Sequence, residues 1–223
     1  MIRLRSPHTV IVYGAVTSLA DRMVLVVELL FGGPPNAFEE LLAAPSPGAI
    51  QAHHRRHLRG NAFLHSKDRV HDDLKSTSML LDGSGREKMV AAHQLNRLAT
   101  YTTRSSQSTQ VNIAWSAPEV LESGGSTYAS DVYSFGIVVW EVVSGERPWA
   151  NTSHHEGNPV SAVDGGAAFV PWPCSIVDMA KACRDEEPHA RTTYDAVMEC
   201  MKSYGRHELC RFDQLFVPES GCV

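Results

Sequence analysis

The chain has 223 residues, enough for one domain with a sizeable core. Charged residues make up 20% and the net charge is -5, which argues against a basic nucleic-acid binder or a protein held to an anionic membrane. A hydrophobic content of 43% predicts a folded chain rather than a disordered one. The five cysteines (Cys174, Cys183, Cys200, Cys210, Cys222) are odd in number and form no Cys-x-x-Cys pair, so a reduced, cytoplasmic setting is expected.

Arg3 and Arg5 before an apolar run give a faint leader pattern, which Pro7, His8 and Tyr13-Gly14 interrupt. Residues 10–16 and 23–31 are rich in β-branched side chains and predict a hairpin. Gly32-Gly33-Pro34-Pro35 breaks the second strand. Residues 38–42 start a short helix, Pro45-Ser46-Pro47-Gly48 is a loop, and 50–65 reads as a helix with an interrupted apolar stripe. Residues 79–81 and 88–91, on either side of Asp82-Gly83-Ser84-Gly85, predict a second hairpin.

Residues 100–110 are a polar loop with many serines and threonines. Residues 129–144 are apolar almost all round, which suits a fully buried helix, although valine and isoleucine would also allow a strand. Residues 151–168 are loop-like, and 174–183 and 192–204 predict amphipathic helices. His53 and His57 stand four apart, the spacing of a zinc pair on a helix. No acid or cysteine follows at a matching spacing, so a solvated or eroded helix face is expected instead.

Several motifs carry a resemblance. His71-Asp72-Asp73-Leu74-Lys75-Ser76-Thr77-Ser78 is similar to the catalytic loop His-Arg-Asp-Leu-Lys-x-x-Asn of protein kinases. Ala91-Ala92-His93-Gln94-Leu95 stands where kinases have Ala-Asp-Phe-Gly-Leu, and Ala117-Pro118-Glu119 matches Ala-Pro-Glu. Asp131 matches the acid at the start of the long buried helix, and Arg191 the arginine that pairs with the glutamate at Glu119. Taken in order from about residue 7 to 204, these resemble a kinase domain of the tyrosine-kinase-like group.

The resemblance implies an α+β fold: a mainly helical C-terminal lobe with a two-strand remnant of the N-terminal sheet. It divides the chain into an upper-lobe remnant and hinge at 1–33, a helical lobe at 34–204 and a tail at 205–223. It makes residues 129–144 a helix. Glu28 and Leu30 become the hinge positions whose backbone would hold adenine. Asp73 takes the place of the acid at the substrate hydroxyl, with Lys75 beside it, and Glu119, Asp131 and Arg191 have structural tasks.

The departures from the family are concentrated on the phosphates. Kinases hold divalent metal with an aspartate and an asparagine. Those places are Ala92, which has no ligand atom, and Ser78, which offers only a neutral oxygen. Asp72 replaces the arginine that grips a phosphorylated activation loop, and an acid repels phosphate. No Gly-x-Gly-x-x-Gly occurs, and no lysine precedes Lys67.

An inactive, protein-binding scaffold module in signalling is therefore expected. It would need no cofactor or metal, and its partners would be other proteins, a kinase or a kinase substrate among them. Neither nucleic acid nor membrane is expected as a partner. The alternative is a serine/threonine kinase that uses ATP and magnesium and takes its upper lobe from elsewhere. A second alternative is a decayed gene product that no longer folds.

Overall fold

A computed structural model describes residues 5–16, 24–30, 47–84, 86–90, 113–123, 125–148 and 174–207. The helix expected at 38–42, the loops at 100–110 and 151–168, and Ala92, His93, Gln94 and Trp149 lie outside those residues. Among the described residues there are two small hairpins and five α-helices, and the second hairpin packs on the first of those helices.

Strands β1 (Val12–Val16) and β2 (Val24–Val27) pair antiparallel, shorter than the apolar runs that predict them. The register slips between Val12 and Gly14, a bulge that leaves Tyr13 on the outside. The segment before β1 is stitched to the second hairpin, because Val10 N donates to Met89 O (2.8 Å) and Met89 N to His8 O (2.8 Å). That second hairpin is β3 (Met79–Leu81) with β4 (Glu87–Met89). Its second strand starts one residue earlier than expected. The turn closes on Asp82, whose N–H donates to Arg86 O (2.8 Å) and whose Oδ1 accepts from Ser84 N and Arg86 N.

Helix α1 (Pro47–His65) begins inside the loop expected at 45–48. Proline suits a first helical turn, where its missing N–H has no partner to lose. The short α2 (Pro118–Ser123) follows a 3₁₀ turn at Ile113–Trp115. The central helix is α3 (Tyr128–Ser144), a helix rather than the strand that its valines also allow. Both of its ends are fixed. Thr127 Oγ1 accepts from Ser130 N (3.2 Å) while Ser130 Oγ accepts from Thr127 N (2.9 Å). At the other end Gly145, at φ 71°, donates its N–H to Glu141 O.

Helices α4 (Cys174–Cys183) and α5 (Tyr194–His207) complete the body. Helix α5 begins two residues later than expected, because Thr193 caps it by accepting from Ala196 N at Oγ1. It runs through His207, so the first residues of the expected tail are helical.

The larger core gathers Leu58, Leu64, Leu74, Met79, Met89, Phe135, Val139, Ile176, Val197 and Met201 from α1, β3, β4, α3, α4 and α5. A smaller cluster joins Ala117, Tyr133, Ile137 and Trp140, with Trp115 and Val120 against it. Helices α3 and α4 approach closely at Gly136. A Cβ there would stand 2.6 Å from Arg184 Cγ and 2.7 Å from Cys183 Cβ. No helix among the described residues is long and apolar enough to cross a membrane.

Candidate functional site

The first turn of α3 places the Asp131 carboxylate under the loop at 71–73. Asp131 Oδ2 accepts from His71 N (2.7 Å) and meets His65 Nε2 (2.7 Å), and Oδ1 accepts from Asp72 N (3.1 Å). Its carbonyl accepts from Tyr194 Oη (2.8 Å), which accepts in turn from Asn61 Nδ2 (2.7 Å). One acid therefore fixes two successive loop N–H groups, and the loop bends sharply there. Asp72 sits at φ 67°, a left-handed conformation that aspartate tolerates better than most residues.

His71 is locked in one tautomer. Its Nε2 faces the Val90 carbonyl (2.8 Å), which can only accept, so Nε2 carries the hydrogen and Nδ1 accepts from Asp73 N (3.3 Å). Burial lowers the pKa of the ring, and this outweighs the upward pull of Asp131, Asp73 and Asp72.

Asp73 and Lys75 face each other, with Nζ 3.3 Å from Oδ2. Ser78 Oγ donates to Asp73 O (3.0 Å) and is 5% exposed, so its hydroxyl closes the loop. Asp72 is exposed, and its Oδ1 accepts from Ser126 Oγ. A cavity of about 30 Å³ lies between Asp72, Asp73, Trp115, Ser116, Ser126 and Asp131, with room for a water or the tip of a side chain.

Glu28 lies just beyond β2. Its N–H is committed to Ile11 O (2.9 Å), and its carboxylate accepts from Ile11 N (2.8 Å) and pairs with Lys88 Nζ (2.6 Å). Any contact of its backbone with a base would thus fall to the carbonyl. Leu30 lies half-buried two residues on. The donors for magnesium do not fit that ion. Ser78 offers a neutral oxygen already turned into the loop, and alanine at position 92 offers none. Among the described residues no three histidine, cysteine or acidic side chains converge on a point suited to a metal ion.

Glu119 and Arg191 meet as a two-pronged pair, with Nη1 to Oε1 at 2.6 Å and Nη2 to Oε2 at 2.7 Å. Arg191 also donates to the carbonyls of Ala129, Asp185 and Glu186, and its guanidinium stands 5.0 Å from the Tyr133 ring centre. Burial pushes the Glu119 pKa upward, but the Arg191 hydrogen bond and charge more than offset it, so the carboxyl stays below its usual range. This one cation ties α2 to the start of α3 and to the loop between α4 and α5.

Two features escaped the sequence reading. Glu141, deep in α3, accepts from Ser76 Oγ (3.2 Å) and Trp115 Nε1 (2.7 Å), linking the loop to the segment before α2. A glutamate next to tryptophan in an apolar run was the available signal. The second feature corrects an expectation. His53, His54 and His57 are not a solvated face; they are 0%, 1% and 0% exposed. Helix α1 packs against β4, α3 and α5, so this polar stripe points inward.

The rings of His53 and His57 lie 4.8 Å apart, and His54 stands edge-on to Phe135. His53 Nδ1 is 3.1 Å from Glu87 Oε2, close but out of line for a hydrogen bond. Desolvation, then the neighbouring ring of His53, lowers the His54 pKa to about 3 and holds His57 well below the usual imidazole value.

This geometry agrees with known sequences. The profile of the family described as protein tyrosine and serine/threonine kinase matches residues 1–201. Serine/threonine-protein kinase CTR1 of Arabidopsis thaliana is 32% identical across 91% of this chain, which covers 25% of that protein. The probable serine/threonine-protein kinase SIS8, from the same plant, is 31% identical across 91% of the chain and 20% of its own length. The mitogen-activated protein kinase kinase kinase ANP1, also from Arabidopsis thaliana, is 26% identical across 84% of the chain and 29% of its own length. The chain thus spans about a quarter of the curated relatives it matches. An acid-anchored loop, a buried central helix and an arginine–glutamate tie, in a sequence matched almost throughout by one profile, make this chain a member of the protein tyrosine and serine/threonine kinase family, on its tyrosine-kinase-like side.

Proposed function

We propose that this domain is a catalytically silent member of its family that works by holding another protein, as a scaffold in signalling. The observation that carries this reading is the state of the two metal-ligand places: alanine at 92, and a Ser78 hydroxyl donated to Asp73 O at 3.0 Å. Metal neutralisation of a transferred phosphoryl group supplies several kcal/mol of barrier lowering, so its loss is not a fine adjustment. A binding surface has no such need. The Glu119–Arg191 tie and the Asp131-anchored loop keep the substrate-side scaffold in place. The partner is another protein, a kinase or a kinase substrate, and the setting is cytoplasmic, in keeping with an odd number of cysteines and no Cys-x-x-Cys pair.

A radiometric assay with magnesium and ATP is expected to show no incorporation above background. Magnesium-dependent transfer that disappears in Asp73→Asn would refute the proposal. The Lys75–Asp73 pair favours a second reading, a serine/threonine kinase that uses ATP. Thermal stabilisation by ATP with magnesium would support that reading against the first.

A further inference from the structure

Glu141 is fully buried, and each of its oxygens serves a different segment. Oε2 accepts from Trp115 Nε1 at 2.7 Å, and Oε1 accepts from Ser76 Oγ at 3.2 Å. Trp115 forms a wall of the cavity that Asp72 and Asp73 line, and its carbonyl is held from behind by Ser134 Oγ (2.7 Å). Ser76 opens the 3₁₀ turn whose last residue, Ser78, closes the loop onto Asp73 O. One side chain therefore spans both sides of the candidate binding site.

The two bonds respond differently to a proton. An indole N–H can only donate, so Oε2 must remain an acceptor in either charge state. A hydroxyl can donate or accept, so a proton on Oε1 simply reverses the Ser76 bond. The anion holds Trp115 by a charge-assisted bond and the acid by a weaker neutral one.

We propose that Glu141 is a positioning residue for this site, and that gain or loss of one proton at Oε1 sets how firmly Trp115 is held and so regulates what the site binds. This rests on the reading that the site takes a protein partner. Desolvation pushes the Glu141 pKa up to about 8, against the downward effects of the Trp115 and Ser76 bonds and the charge of Arg147. The switch therefore lies close to neutral pH. Other charged groups also lie around α3. Lys75 pairs with Asp73, His54 and His57 lie against Phe135, Asp131 holds the loop, and Arg184, just past α4, packs at Gly136.

The indole N–H cross-peak of Trp115, assigned with Trp115→Phe, reads the latch directly in the free protein. This makes the test independent of whether the domain transfers phosphate or has a partner. The peak is expected to titrate with a midpoint near pH 8 and to become flat in Glu141→Gln. In Ser76→Ala the anion loses a donor, and the midpoint is expected to move up. A flat wild-type peak between pH 6.5 and 9.5, or an unchanged titration in Glu141→Gln, overturns the proposal. If Glu141→Gln does not fold, an unmoved midpoint in Ser76→Ala overturns it instead.

Discussion

The buried histidines of α1 should make this domain sensitive to acid, and His54 gives the size of the effect. Its pKa is about 3 in the folded chain against an ordinary 6.5, so the unfolded chain binds the proton more readily. A depressed histidine pKa costs nothing above pH 6.5, and stability is lost as the pH falls through 6.5 towards the folded value. At pH 5 the unfolded form is favoured by about 30-fold for this one ring, or ~2 kcal/mol, relative to pH 8. That is a large share of the roughly 5–15 kcal/mol that keeps a domain folded. His57 and His71 have pKa values lowered by the same burial and add to it.

The perturbation is His54→Leu, which removes the proton site and a buried ring nitrogen that has no hydrogen-bond partner. Urea unfolding followed by circular dichroism at pH 8 and pH 5 provides the measurement. The wild type is expected to lose about 2 kcal/mol more than the variant between the two values. The residual slope of the variant would belong to His57 and His71, which lose stability towards pH 5, and to Glu141, whose raised pKa acts in the opposite direction and is common to both proteins. Equal losses in the two proteins, within about 0.5 kcal/mol, would show that His54 is not held neutral by burial and would refute the reasoning.

Two further outcomes follow from the packing. Arg191→Met leaves Glu119 without its cation and strands the carbonyls of Ala129, Asp185 and Glu186. It is expected to cost about 3–5 kcal/mol in chemical denaturation, with a smaller cost when combined with Glu119→Gln. Gly136→Ala puts a methyl 2.7 Å from Cys183 Cβ, so α3 and α4 must part. A loss of about 1–3 kcal/mol is expected, read as a lower Tm, and an unchanged Tm would contradict the close approach.

The parts of the fold that were legible in the sequence were those written in short-range patterns. Ala117-Pro118-Glu119, the run from His71 to Ser78 and the apolar stretch into Ser144 each located an element. What was not legible depended on partners far along the chain. Glu28 and Lys88 are 60 residues apart, and Glu141 is 65 from Ser76, so nothing near either acid announces its role. The α1 histidines misled for a different reason. Polar residues are normally exposed, and that rule fails when the helix carrying them has packing neighbours on several sides.

Asp72 was legible only as a change of charge. Its backbone N–H still donates to Asp131, a task that the lost arginine side chain never shared.

The stitch between the start of the chain and β4 also governs the order in which the protein can assemble. Glu28 cannot reach Lys88, nor Val10 the Met89 carbonyl, until the intervening chain has been made. A ribosome delivers Val24, Val26 and Leu29 first, and these stay 41%, 46% and 73% exposed even in the finished fold. During synthesis the first hairpin therefore has to wait for its anchor on β4 before these bonds can close.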